Sequence, residues 1–162
     1  MKTQVFKFTN RETAITNFST EETSFLANIY PAKIEVKLDG IVFGNVETAY
    51  QAAKVASVSQ REKMAKMTPE MAKKAVSSIT TKDWEEKKYQ VMYDLLWQKF
   101  HDNPKYGKLL VATGECELVK LNSAGDIYWG VCKVEDHYIG ENNVGKILMD
   151  IREKLKNDPL FC

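Results

Sequence analysis

Apolar and polar positions alternate with period two over residues 33–38, where Ile34, Val36 and Leu38 interleave with Lys33, Glu35 and Lys37. The apolar run resumes at Ile41-Val42-Phe43 after Asp39-Gly40. Asp-Gly tolerates the positive φ of a type I′ turn, so alternation around it predicts a β-hairpin. Val5, Phe6 and Phe8 predict a short opening strand, which the polar run 9–13 ends. From residue 46 to about 67 the pattern turns helical and rich in Ala, Gln, Lys and Glu, which predicts one helix released by Gly44 and capped by Asn45. Thr68-Pro69-Glu70 supplies an N-cap with proline at the first helical position, opening a short helix through Val76. Trp84, Lys88, Val91, Met92, Leu95, Leu96 and Phe100 carry a long amphipathic helix that begins near residues 81–83 and breaks at Asn103-Pro104. A further helix is expected over 105–113 before Gly114, a strand over 117–121, and a last helix over 144–155. The polar, glycine-containing stretch 122–143 reads as functional loop, and 158–162 as a frayed tail. The expected fold is a helix-dominated α+β single domain, residues 1–162, with a small antiparallel sheet.

Composition narrows the classes. A chain of 162 residues suffices for one domain that buries a core without disulfide or metal staples. Twenty-three basic against 22 acidic residues give a net charge of +1, so nothing global draws the protein to nucleic acid or an anionic membrane. Cys116, Cys132 and Cys162 are odd in number, far apart and without a C-x-x-C, and His101 and His137 are also distant. Reduced thiols are expected, with no metal site and no cofactor. The first five residues contain no hydrophobic stretch resembling a signal peptide, and no window reaches the roughly 18 apolar residues of a membrane span. A cytoplasmic protein without membrane partners is expected.

Three clusters carry candidate chemistry. Glu47, Tyr50, Gln51 and Lys54 fall on one stripe of the helix expected after Gly44, beside a small apolar stripe of Ala49, Ala52, Ala53 and Ala56. They suit either a solvated helix face or the wall of a ligand pocket. Asp126-Ile127-Tyr128-Trp129-Gly130 sets an acid beside a flat aromatic wall able to stack a base, or else marks a turn former beside a core Trp. Gly140 to Lys146, followed by Leu148-Met149 and Arg152, reads as a loop feeding a helix N-terminus, either structural or a place for phosphate.

In order along the chain these blocks resemble one family. Phe25-Leu26-Ala27-Asn28-Ile29-Tyr30-Pro31 resembles F-L-S-N-F-x-P, and Asp39-Gly40 with Val46-Glu47-Thr48-Ala49-Tyr50-Gln51-Ala52-Ala53-Lys54 resembles D-G followed by (T/V)-E-H-x-(Y/F)-Q-x-x-K. Trp84, Val91-Met92 and Lys99-Phe100 resemble W, V-M and K-F. Leu109-Leu110 with Thr113-Gly114 resembles L-L-x-T-G. Asp126-x-x-Trp129-Gly130 resembles D-x-x-W-G, and the segment from Gly140 through Asn143 and Gly145 to Arg152 resembles G-x-N-x-L-G-x-x-L-M-x-x-R. The chain is similar over about residues 16–155 to the NADAR (YbiA-like) N-glycosidases.

That resemblance implies a YbiA-like fold and hydrolysis of the bond between ribose C1′ and a nitrogen. The substrate would be a phosphorylated riboside, an early riboflavin-pathway intermediate or an ADP-ribosyl-guanine. Nucleic acid would enter only as modified substrate. Carried over by position, Glu47, Lys54 and Asp126 are the catalytic candidates. Asn28, Tyr50, Gln51, Trp129, Gly130, Asn143, Gly145 and Arg152 are the substrate-binding ones. This chain departs from the family pattern at Thr48, where many members have His, at Ala27 beside Asn28, and at Val131 after Gly130. Two routes use the residues present. Either Lys54, as a neutral amine, attacks C1′ and forms a Schiff base while Glu47 moves protons, or Glu47 activates water while Lys54 holds a phosphate or hydroxyl. A module that binds ADP-ribose or NAD without cleaving it is the alternative, but it has no need of Glu47.

Overall fold

The computed structural model describes residues 4–36, 40–79 and 81–162. In chain order the strands are β1 (Val5–Phe6), β2 (Ile34–Glu35), β3 (Val42–Phe43), β4 (Val131–Val134) and β5 (His137–Gly140). The helices are α1 (Val46–Ala52), α2 (Val58–Met64), α3 (Pro69–Ala75), α4 (Lys82–His101), α5 (Pro104–Ala112) and α6 (Asn143–Lys156). The chain forms two units, one of Met1–Leu26 with Pro104–Cys162 and one of Ala27–Asn103. This is the helix-dominated α+β architecture expected, with small antiparallel sheets.

In the 27–103 unit the hairpin forms where alternation predicts it, with Ile34 opposite Phe43 and Glu35 opposite Val42. The expected turn falls partly on residues 37–39, outside the described residues, while Gly40 has φ +65, the left-handed value that suits glycine. Gln98 of α4 continues the pairing with its side-chain amide: Glu35 N–H donates to its Oε1 at 2.6 Å, and its Nε2 donates to the Glu35 carbonyl at 2.9 Å. The helix expected over 46–67 is instead two helices. Asn45 caps α1 by accepting the Thr48 N–H at 2.8 Å, but tighter bonds from Lys54 N to Gln51 O and Val55 N to Ala52 O end it. Ser57 then caps α2 through Gln60 N–H, and Arg61 Nε donates to the carbonyls of Ala52 and Val55 at 3.3 and 2.7 Å. A cation on a helix C-terminus satisfies both its orphan acceptors and its dipole. Thr68 caps α3 as anticipated, and Thr81 caps α4 at the start expected near residues 81–83. The fully buried Ala49 and Ala52 let α1 approach α3 and α4 closely.

In the other unit the sheet order is β1-β5-β4, all antiparallel, over a cluster of Val119, Val131 and Tyr138 flanked by Phe6 and Phe8. The loop expected over 122–143 therefore contains a hairpin. Its turn at Glu135-Asp136, with Glu135 at φ 53, lacks the Gly or Asn that marks such turns in sequence. The strand expected over 117–121 is absent, and only isolated bridges from Ile15 to Leu118 and from Leu121 to Val131 remain. An asparagine side chain replaces the missing ladder: Asn142 accepts from Lys120 N at 2.9 Å and donates to Leu118 O at 3.0 Å. The tail is anchored, not frayed. Asp158 caps a 3₁₀ turn, Pro159–Phe161, and Phe161 is buried. No helix among the described residues is long and apolar enough to cross a membrane.

Candidate active site

In the 27–103 unit the turn at Ala27–Tyr30 meets the first turn of α1. The Asn28 carbonyl accepts the Glu47 N–H at 3.1 Å, which seats one predicted site residue beside another. Glu47 Oε1 accepts from Gln51 Nε2 at 2.8 Å, one helical turn on. Gln51 Oε1 and Asn28 Oδ1 are buried and lack a hydrogen-bond partner among the described residues. Asn28 Nδ2 has the soft thioether of Met92 at 3.7 Å. The Thr48 hydroxyl is likewise buried without a partner among the described residues. Orphaned polar atoms cost stability, so each of these three calls for an explanation.

Lys54 lies beyond the end of α1, in the turn that follows the helix. Its Nζ sits 5.5 Å from the Tyr50 ring centre and 5.7 Å from that of Trp84, and these rings lie 5.3 Å apart. No carboxylate ion-pairs with it among the described residues. Burial is the main cause that lowers its pKa below the ordinary lysine value; Glu47 and Glu85 oppose the shift, while Lys73 and Lys88 add to it. Lys54 is thus a half-buried amine against two aromatic faces, on the chain segment that carries Glu47.

The second predicted cluster lies in the other unit and is built differently. Asp126 Oδ1 accepts the N–H groups of Tyr128 and Trp129 at 3.2 and 2.9 Å, and its Oδ2 lies 4.0 Å from Lys120 Nζ. Asn122 holds the same loop by donating to Asp126 O at 2.8 Å. The Trp129 ring stands edge-on to Tyr128 at 4.7 Å. The first N–H groups of α6 are not open to a phosphate, because Asn143 N donates to Tyr128 O and Val144 N to Trp129 O. That corrects the phosphate-site expectation for this helix start at those two groups. Gly130 and Gly145 permit close backbone approach. A Cβ at 130 would meet Lys120 O at 2.4 Å, and one at 145 would meet Leu118 O at 2.1 Å. Asn143 Nδ2 donates to Glu141 at 2.9 Å. Arg152 Nη1 donates to Thr113 Oγ1 and Cys116 O at 2.9 and 2.7 Å, which ties α6 to the turn after α5.

Lys99 stands out although sequence reasoning gave it no role beyond a motif position. It is fully buried on α4, donates to Ala27 O at 2.8 Å, and lies over the Tyr30 and Phe100 rings at 5.6 and 5.1 Å. Desolvation lowers its pKa to about 7. The signal was available: Met92, Leu95, Leu96, Lys99 and Phe100 share the apolar stripe of α4, and a lysine on such a stripe calls for a reason.

The NADAR domain family model matches residues 7–156 of this chain. The chain belongs to the NADAR family. N-glycosidase YbiA of Escherichia coli is 32% identical over 124 residues, covering 74% of this chain and 75% of that protein. An N-glycosidase of Nostoc punctiforme is 31% identical over 130 residues, covering 75% of this chain and 80% of that protein. A riboflavin biosynthesis protein of Vibrio vulnificus is 34% identical over 142 residues; the match covers 84% of this NADAR chain but 36% of that longer protein. The solution NMR structure of YbiA superimposes with a TM-score of 0.72 at 28% identity, covering 91% of this chain and 86% of that one. The α+β fold is YbiA-like.

Proposed function

We propose that this NADAR protein is an N-glycosidase that hydrolyses the C1′–N bond of a phosphorylated riboside through a covalent Lys54 intermediate. Lys54 carries the reading: an amine with lowered pKa, without an ion-pair partner among the described residues, on the segment that presents Glu47. The N-glycosidase names of two relatives support the reaction class, and the riboflavin biosynthesis name of a third supports an early riboflavin-pathway intermediate as substrate.

The Lys54 lone pair attacks C1′ and the C1′–N pair departs with the base. Glu47 takes the proton shed by the newly substituted lysine nitrogen and delivers it to the leaving nitrogen. The lysine nitrogen then expels O4′, which is protonated as the ring opens, to give a Schiff base. Water adds to its carbon, the C1′–Nζ bond breaks, and the free sugar phosphate leaves with lysine restored. Gln51 holds Glu47 in place, and the Tyr50 and Trp84 faces keep the amine poorly solvated. Asp126 builds the 126–130 loop, its Oδ1 being committed to backbone.

Borohydride added during turnover of a substrate panel (riboflavin intermediates, ADP-ribosyl-guanine, NAD and ADP-ribose) should reduce the imine and leave the sugar mass on Lys54. Lys54→Arg keeps the charge but stays protonated, so it should not turn over. An active Lys54→Arg enzyme with no adduct would leave Glu47-activated water as the route.

A further inference from the structure

We infer that the orphaned amide oxygens of Gln51 and Asn28 form an acceptor pair that selects a substrate bearing hydrogen-bond donors at this position, either sugar hydroxyls or exocyclic amines on the base. The inference rests on the site proposed above and names the polarity of what fills it. The polarity is set at Gln51 by a carboxylate and favoured at Asn28 by a thioether. Gln51 Nε2 donates to Glu47 Oε1 at 2.8 Å, and turning the amide over would set oxygen against oxygen. Gln51 Oε1 is thereby left as a buried acceptor with nothing to accept. Asn28 Nδ2 faces the Met92 sulfur at 3.7 Å, which again leaves Oδ1 as the unsatisfied atom. Both residues are more than nine-tenths buried, at 3% and 5% exposure, and the Asn28 carbonyl bonded to Glu47 N keeps them on one short piece of structure. Thr48 is orphaned too, but a hydroxyl rotates to give or take a proton and so imposes no polarity. Two fixed acceptors reject an acceptor and reward a donor, because a site built to bond a polar group leaves its own groups unpaired when that group is missing.

Equilibrium binding to the intact protein tests this without requiring turnover. Isothermal titration compares ribose 5-phosphate with 2-deoxyribose 5-phosphate, and 2,4-diaminopyrimidine with pyrimidine. A preference of about tenfold or more for the donor-bearing member of one pair is expected, the size of a lost hydrogen bond in a dry site. The discriminating pair identifies sugar or base as the source of the donors. Gln51→Met, near in length but without the acceptor, should shrink that preference, and Asn28→Leu should do the same. Absence of a preference in both wild-type pairs would overturn the acceptor pair, and so would a preference undiminished in both variants. The wild-type comparison stands even if a variant fails to fold. A protein that cleaves ribosides yet shows neither preference retains the proposed activity and loses this inference. One that discriminates but cleaves nothing retains the inference and loses the activity.

Discussion

Replacing Lys99 by methionine removes a buried amine while keeping most of its volume, and its effect on stability should depend strongly on pH. Burial drops this lysine from the ordinary 10.5 to about 7. At about 1.4 kcal/mol per unit, burying this amine costs the native state roughly 5 kcal/mol at and below about pH 7, a cost that shrinks toward zero as the pH approaches 10.5. The faces of Tyr30 and Phe100 return part of this when the amine is charged, so that figure is a ceiling. Between about pH 7 and 10.5 the unfolded state binds the extra proton, so this group makes stability rise with pH. Below about 7 both states are protonated and the penalty is constant. Lys99→Met also loses the 2.8 Å bond to Ala27 O, worth about 1 kcal/mol. The variant should therefore be the more stable protein near pH 7 and the less stable one near pH 10. Urea unfolding of both proteins at several pH values from 6.5 to 10 measures the difference, which cancels the other titrating groups. Parallel curves would refute the buried neutral lysine.

Glu47→Gln keeps an acceptor for Gln51 Nε2, so its fold should change by less than about 1 kcal/mol, while kcat should fall at least ~10²-fold with loss of the proton relay. A folded Glu47→Gln enzyme of normal turnover would retire that role. Asp126→Ala leaves the N–H groups of Tyr128 and Trp129 without their acceptor and should cost about 1–2 kcal/mol by thermal or chemical unfolding. Asp126→Asn retains the acceptor and should be largely spared in both stability and specific activity. A well-folded, inactive Asp126→Asn would give that carboxylate a part in the chemistry.

The sequence shows best what depends on neighbouring residues. The caps at Asn45, Thr68 and Thr81 were legible because each is a local bond to an N–H three residues on. The split of the 46–67 helix was not, because the Ser57 cap is local but the Arg61 bonds that cover the end of α1 reach back six and nine residues. The β4–β5 hairpin escaped for a related reason: its turn residue Glu135 takes a left-handed φ with no glycine to announce it. The strand expected over 117–121 failed because its apolar pattern describes burial, whereas its backbone hydrogen bonds are divided among Ile15, Val131 and the Asn142 side chain.

The same distinction separates the candidate site residues, which the family motifs present as equals. A polar group already bonded to backbone has little capacity left for a ligand. Arg152 Nη1 serves Thr113 and Cys116, Asp126 Oδ1 serves two loop amides, and the first amides of α6 serve Tyr128 and Trp129 carbonyls. Gly130 and Gly145 stand where a side chain would strike a carbonyl oxygen. These contacts hold the loops and helix ends of that unit together. Asn28, Gln51 and Lys54 carry the opposite signature: two buried acceptors without donors, and an amine without a counter-ion among the described residues. A buried acceptor without a donor costs stability, and that cost is why the proposed chemistry is placed on the α1 segment and its neighbouring turn.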